Sequence, residues 1–300
     1  MFNECEVAEK TFRTLEGVLK DVEHELIFVN DGSADSTKEI LENLLTETPQ
    51  NRIVNFSRNF GHQAAFSAGL LAAKGDAVVI IDGDLQDPPA LILEMIKKWH
   101  EGYQVVYAQR KSRTGESWFK KTTAKIFYRL LQGLANIDIP PDTGDFRLMD
   151  RCVVDQINAL PERSRFLRGL VCWVGYKRTG ILYDRAERAA GYSKYPLRKM
   201  LKFALDGITS FSSFPLRLSF IMGLIVTFIA FCLAVWSVVE KFLYPVTTSQ
   251  GWTSLIVSII FLGGAQLICI GILGEYIGRI YEEVKQRPLF IEVKNEHSRT

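Results

Sequence analysis

The chain has little of what marks a secreted or nucleic-acid-binding protein. Its five cysteines, Cys5, Cys152, Cys172, Cys232 and Cys269, are scattered and have neither paired nor metal-ligand spacing. An odd, dispersed set reads as reduced thiols, which excludes a disulfide framework and a cysteine-built zinc site. No secretory leader is visible at the start, as expected of a first domain that is never exported. Neither sign of charge dominates, with 36 Lys and Arg against 34 Asp and Glu, so overall charge gives no reason to expect a polyanionic partner. Internal repeats and low-complexity tracts are missing as well.

Charge is absent altogether from two stretches, 218–239 and 254–273. Each is long enough to cross a hydrocarbon core of ~30 Å as a helix rising ~1.5 Å per residue. Arg198, Lys199, Lys202 and Arg217 precede the first stretch, Arg279, Lys285 and Arg287 follow the second, and the connection at 240–253 carries only Lys241 among basic residues. The positive-inside rule then places both termini in the cytoplasm and the short loop outside, in a multi-pass protein of the cytoplasmic membrane. From Arg163 to Arg217 there are twelve Lys or Arg against Asp184, Glu187 and Asp206. A basic segment directly before a span favours anionic lipid head groups over nucleic acid, by roughly 1 kcal/mol per residue near the surface.

Before these stretches the chain alternates short β-branched runs with amphipathic ones. Apolar runs at 26–29, 53–56, 78–81 and 104–108 are separated by helical patterns at 7–19, 36–45, 62–74 and 89–100. That alternation predicts an α/β fold with a mostly parallel sheet and ligands at the strand ends. A strand is also expected just before Phe2-Asn3-Glu4, a tripeptide that reads as a strand-end loop, so the first strand is expected to be missing from this sequence.

Two of the strand ends are acidic. The run Val78 to Ile81 stops at Asp82-Gly83-Asp84, with Asp87 close behind. Carboxylates flanking a glycine can turn toward one small hard cation, and two of them with substrate phosphate oxygens commonly hold Mg²⁺ or Mn²⁺. The bland alternative is a turn with acidic punctuation. The second acidic end is Asn30-Asp31-Gly32-Ser33. Asp31 there could accept from a pyrimidine N3–H or from ribose hydroxyls, or the segment could be an Asx-type turn with Asp35 or Ser36 capping the next helix. Arg165 and Arg168, at helical spacing, would share a face suited to phosphate, or merely face solvent. Trp173 sits in an apolar run and reads as core, and His62 reads as a helix-start residue.

Taken in order, Asn30-Asp31-Gly32-Ser33-Ala34-Asp35, Asn59-Phe60-Gly61, Asp82-Gly83-Asp84-Leu85-Gln86-Asp87-Pro88-Pro89 and Thr143-Gly144-Asp145-Phe146-Arg147-Leu148 form a recognisable set. Gly191-Tyr192-Ser193-Lys194-Tyr195, the two apolar stretches and Gly274-Glu275-Tyr276-Ile277-Gly278-Arg279 complete it. The whole strongly resembles the family 2 glycosyltransferases, in particular those that use polyprenyl phosphate. The resemblance implies an A-type glycosyltransferase fold followed by interfacial helices and two transmembrane helices. The implied reaction is inverting transfer of a sugar, by default glucose, from a nucleotide sugar to a polyprenyl phosphate. Nucleotide-sugar binding falls to Asn3, Glu4, Asp31 and Asp82, and the cation to Asp82 and Asp84. Asp145 and Asp84 are the implied catalytic residues, and Arg147, Ser193 and Lys194 take the acceptor phosphate, with Arg165 and Arg168 as further candidates. Position 30 departs from the pattern, since the family usually has Asp there.

One physical point qualifies Asp145. A lipid phosphate has a second pKa of ~6, so at neutral pH it is already mostly a dianion and needs no base. Asp145 therefore reads as a positioning residue, and a buried carboxylate beside a dianion requires a cation or arginine partner, Arg147 being nearest in sequence. The expected layout is a cytoplasmic catalytic domain at 1–190, an amphipathic juxtamembrane segment at 191–217, two spans at 218–276 and a cytoplasmic tail at 277–300. Membrane lipid is an expected partner, nucleic acid is not, and homo-oligomerisation stays open. Two rivals remain: a processive polysaccharide synthase, whose Gln-x-x-Arg-Trp spacing is missing here, and a non-catalytic partner in lipid-sugar translocation.

Overall fold

The computed structural model describes residues 1–46, 48, 50–111, 140, 143–163, 165–184, 214–243 and 251–293. Ser193, Lys194 and most of the expected juxtamembrane segment lie outside the described residues, as do the loop at 244–250 and positions 294–300. The chain divides into two compact units, Met1–Leu201 with Arg287–Thr300, and Lys202–Gln286.

The first unit opens with α1 (Ala8–Leu19), whose Ala8, Phe12, Leu15 and Leu19 recur at helical spacing and are all buried. That stripe is what makes the segment a helix in this fold, since burying one such large side chain contributes roughly 1.5–3 kcal/mol. Strands β1 (Ile27–Asn30) and β2 (Arg52–Asn55) pair in parallel, connected through α2 (Thr37–Leu45). Asp35 starts α2 by accepting from the Thr37 amide at 3.1 Å and hydroxyl at 2.5 Å. Desolvation pushes its pKa up, but these bonds and the ones from Cys5 together prevail and lower it to about 2. The expected capping role of Asp35 is present. Helix α3 (His62–Ala72) follows, made of small residues that let Gly69 sit against Val29.

A second sheet has the order β3-β5-β4-β6, with β3 at Ala77–Ile80, β4 at Val105–Arg110, β5 at Thr143–Asp150 and β6 at Arg178–Tyr183. β4 and β6 are parallel, while β5 runs antiparallel to both its neighbours. The α/β fold expected from the alternating pattern is therefore present, with one parallel and one mixed sheet. β5 is buried along nearly its whole length, as a central strand is, with Phe146 and Leu148 on one face and the charged Asp145 and Arg147 on the other. It ends in Asp150, which accepts from the Cys152 amide at 2.9 Å and caps α5 (Arg151–Ala159). Helices α4 (Leu91–His100) and α6 (Leu167–Trp173) complete the described part of this unit. The main core gathers Phe12 and Leu15 of α1, Leu41 of α2, Met95 of α4 and Val106, Phe146, Leu148 and Ile181 of the sheet.

Part of the expected tail belongs to this unit. Phe290 stacks on Phe56 with ring centroids 4.8 Å apart, the Ser57 amide donates to the Ile291 carbonyl at 2.9 Å, and the Val293 amide donates to Asn55 at 2.8 Å. The outer edge of β2 is thus partly covered.

The second unit contains α7 (Phe214–Leu243) and α8 (Trp252–Lys285). Phe214–Leu233 and Phe261–Lys285 are long and apolar enough to cross a membrane, with mean hydropathies of 2.3 and 1.5 and no part of either window buried. Phe220, Phe228, Leu267 and Ile270 stand exposed along them. Apolar surface on this scale calls for a covering medium.

Candidate active site

The acidic loop after β3 is fixed from three sides. Thr11 of α1 donates its hydroxyl to the Gly83 carbonyl at 2.9 Å, and Asp84 accepts from the Gln86 amide at 3.1 Å. Asp87, fully buried, accepts from the Tyr183 hydroxyl, whose pKa burial and that carboxylate push up. Asp87 therefore holds the loop rather than a ligand. Asp82 and Asp84 remain only partly buried, and among the described residues neither has a Lys or Arg partner. No cluster of three or more His, Cys, Asp or Glu side chains that could hold a metal occurs among the described residues.

The antiparallel register of β3 and β5 then brings distant residues together. Ile80 faces Arg147, and continuing each strand by two residues sets Asp82 across from Asp145. His62, the first residue of α3, spans the gap: its Nε2 bonds Asp82 Oδ1 at 2.9 Å and its Nδ1 lies 3.9 Å from Asp145 Oδ2. Arg168 of α6 grips Asp145 with Nε and Nη2, both at 2.7 Å. Burial of Asp145 alone would raise its pKa, but the Arg168 hydrogen bonds and the charges of Arg168, Arg147 and His62 prevail and hold it below the usual carboxylate range. His62 is shifted the other way: desolvation is outweighed by Asp82 and Asp145, and its pKa rises.

Asp31 is buried, and its carboxylate is engaged by the chain itself. It accepts from the Phe60 amide at 2.7 Å and the Gly61 amide at 3.0 Å, pinning the loop that leads into α3. Gly32, with φ +65°, permits this approach, because a Cβ there would lie 2.4 Å from the Arg58 carbonyl carbon. Asn3 accepts from the Ala34 amide at 2.9 Å and its own amide donates to Ser33 Oγ at 3.0 Å, while the Glu4 amide donates to Thr37 Oγ1. Asn3 and Glu4 are thereby tied to the turn after β1. Asp31, Glu4 and Asp82 all act on the Met1 amine, whose pKa burial lowers.

The arginines differ from expectation. The Asp145 carboxylate pairs with Arg168 rather than with Arg147, which lies buried and donates from Nη2 to the Gly144 carbonyl at 2.8 Å and from Nε to the Asp145 backbone carbonyl at 3.3 Å. Burial lowers the Arg147 pKa. Arg165 and Arg168 do not share a helix face, because α6 begins only at Leu167 and Arg165 turns to the Leu160 and Glu162 carbonyls. Trp173, expected in the core, is 60% exposed, since it ends a helix too short to bury both sides. His62 starts a helix as expected, but it is also the residue sequence reasoning left out of the site. The only signal for it was its place directly after Asn59-Phe60-Gly61.

Comparison with known proteins shows the family of the chain. Residues 1–157 match the family model described as Glycosyl transferase family 2. The chain is 52% identical to the uncharacterized glycosyltransferase YkcC of Bacillus subtilis (strain 168), over 98% of this chain and 92% of that protein. It is 46% identical to the SfII prophage-derived bactoprenol glucosyl transferase of Shigella flexneri, over 99% and 96%. With the prophage bactoprenol glucosyl transferase homolog of Escherichia coli (strain K12) it shares 45% identity over 97% and 95%. Among solved structures, glucosyl-3-phosphoglycerate synthase from Mycobacterium tuberculosis matches at 20% identity with a TM-score of 0.46, over 70% of this chain and 75% of that one. The chain belongs to the family 2 glycosyltransferases.

Proposed function

We propose that the protein is a membrane-anchored enzyme that transfers a sugar, by default glucose, from a nucleotide sugar, UDP-linked, to a polyprenyl phosphate with inversion at the anomeric carbon. The observation that carries this reading is the meeting of Asp82 with the Asp145–Arg168 pair at one strand edge, in a chain 46% identical to a bactoprenol glucosyl transferase over nearly its full length. In the reaction, an oxygen of the phosphate dianion attacks C1 of the sugar from the face opposite the diphosphate. The new C1–O bond forms as the old one breaks, and the nucleoside diphosphate leaves with the electron pair. No proton need move, because the acceptor is ionised near neutral pH, its second pKa being ~6.

Asp145 suits a positioning role. Clamped by two Arg168 hydrogen bonds and held ionised, it is a poor proton acceptor, and it keeps the Arg168 charge beside the acceptor path. Arg147, Arg168, Ser193 and Lys194 would receive the acceptor phosphate, and Asn3, Glu4 and the turn at Asp31 the nucleotide. Asp82 and Asp84 fit Mg²⁺ or Mn²⁺ as hard oxygen donors without a Lys or Arg on them. When bound, such a cation offsets the charge developing on the leaving diphosphate. Helices α7 and α8 would keep the site at the cytoplasmic leaflet where the acceptor resides, which raises its effective concentration.

The test is incubation of membranes containing the protein with UDP-glucose, other nucleotide sugars and polyprenyl phosphate, with and without divalent cation, and detection of products by mass. A polyprenyl-phosphate sugar formed only with the cation supports the proposal. Processive growth of a glycan, or no consumption of any nucleotide sugar, refutes it.

A further inference from the structure

We infer that His62 is a positioning residue that holds Asp82 for the divalent cation and ties it to the Asp145–Arg168 pair. The inference rests on the proposed reading of Asp82 and Asp84. An ionised carboxylate can only accept, so in the 2.9 Å contact the hydrogen sits on His62 Nε2 and the ring donates to Asp82 Oδ1. The second oxygen of Asp82 takes no described hydrogen bond from the protein. The side chain is thereby oriented with one oxygen spent and the other left for a ligand, as with other carboxylates held by outer hydrogen bonds.

The ring is half-exposed, with defined contacts on its other side. Phe66, one turn along α3, meets it edge-on with centroids 4.1 Å apart. Gly61, at φ +96°, swings the chain into the helix, and Asp31 grips the Phe60 and Gly61 amides just before it. Asp31 thus acts on Asp82 through the loop and His62. On its far side the ring reaches Asp145 Oδ2 at 3.9 Å, the oxygen that also takes Arg168 Nη2. One side chain therefore stands between the carboxylates assigned to the two substrates.

Two variants separate the hydrogen bond from the ring. His62→Phe keeps the aromatic packing on Phe66 and removes the donor, whereas His62→Gln keeps an N–H donor and removes the ring. The full chain in detergent, with UDP present, is titrated with Mn²⁺, free Mn²⁺ being read by electron paramagnetic resonance, and its thermal melting is followed in parallel. The expected result is a loss of Mn²⁺ affinity of about 10–100-fold in His62→Phe and recovery of most of it in His62→Gln, with melting unchanged in both. Wild-type affinity in His62→Phe overturns the inference. Equal loss in both variants, or a lowered melting temperature in both, overturns it too, by making the ring or the helix start the feature that matters. Failure of the wild type to bind Mn²⁺ at all removes the cation reading beneath it, which is a distinguishable result.

Discussion

Two strand ends in this protein look alike in sequence and behave differently in the fold. β1 runs into Asn30-Asp31-Gly32 and β3 into Asp82-Gly83-Asp84, each an apolar strand stopped by acid and glycine. At the first, Asp31 is 4% exposed and held on both oxygens by two backbone amides. At the second, Asp82 and Asp84 stay partly exposed, and the Asp82 carboxylate takes a side-chain hydrogen bond from His62. The pattern of strand, acid and glycine thus marks an edge where ligands bind, but burial and competing amides decide which carboxylate is left for a ligand. Asp31 pins the loop before α3, whereas Asp82 and Asp84 stay partly exposed, as the proposed cation role requires.

Four outcomes would sharpen or break this contrast. The largest effect is expected at the β3 end: Asp84→Asn keeps shape and loses charge, and should lower the rate about 10²–10³-fold, or about 3–4 kcal/mol. Turnover at limiting Mn²⁺ close to that of the wild type would show the two ends to be equivalent. Next comes Asp145→Asn, which leaves Arg168 without its ion pair and should cost about 3 kcal/mol of stability in denaturant melts. Because the folded pKa of Asp145 is depressed, its stabilisation is present above the ordinary carboxylate range and lost only as pH falls through the depressed value. The wild-type rate should instead rise with a midpoint near pH ~6, set by the lipid phosphate, and Asp145→Asn should keep that midpoint at a lower plateau. A midpoint that vanishes in the variant would restore Asp145 as a base.

Asp31→Asn should destabilise by about 2 kcal/mol, since one of its charge-assisted contacts to the Phe60–Gly61 loop is lost, and should weaken Mn²⁺ binding indirectly. A stability equal to the wild type with weakened nucleotide binding would return Asp31 to direct base recognition. The smallest effect is expected at the sheet edge, where Phe290→Ala removes the stack on Phe56 and should cost about 1 kcal/mol. Melting followed by tryptophan fluorescence would check it.

Local chemistry made much of the first unit legible. Helical spacing of Phe12, Leu15 and Leu19, the Asp35 cap and the acidic turns after β1 and β3 all follow from near neighbours in the chain. Pairings between residues far apart were not legible. Asp145 lies 23 residues from Arg168 and only two from Arg147, yet the more distant guanidinium takes it, because Arg168 reaches its carboxylate from α6 while Arg147 bonds the Gly144 and Asp145 carbonyls of its own strand. His62 has no carboxylate partner in its own neighbourhood, since Asp82 and Asp145 lie 20 and more residues away in sequence.

By itself the sequence determined the alternation of strands and helices, the two uncharged stretches that became α7 and α8, and the acids at the strand ends. Each of these depends on side-chain period, length or turn chemistry within one segment. Only the tertiary structure decided that β5 enters the second sheet antiparallel between β3 and β4, and this register sets Asp145 opposite Asp82. It also decided which acids are engaged by the protein and which stay partly exposed. Burial and hydrogen-bond competition are properties of neighbours in space, and no window along the chain contains them.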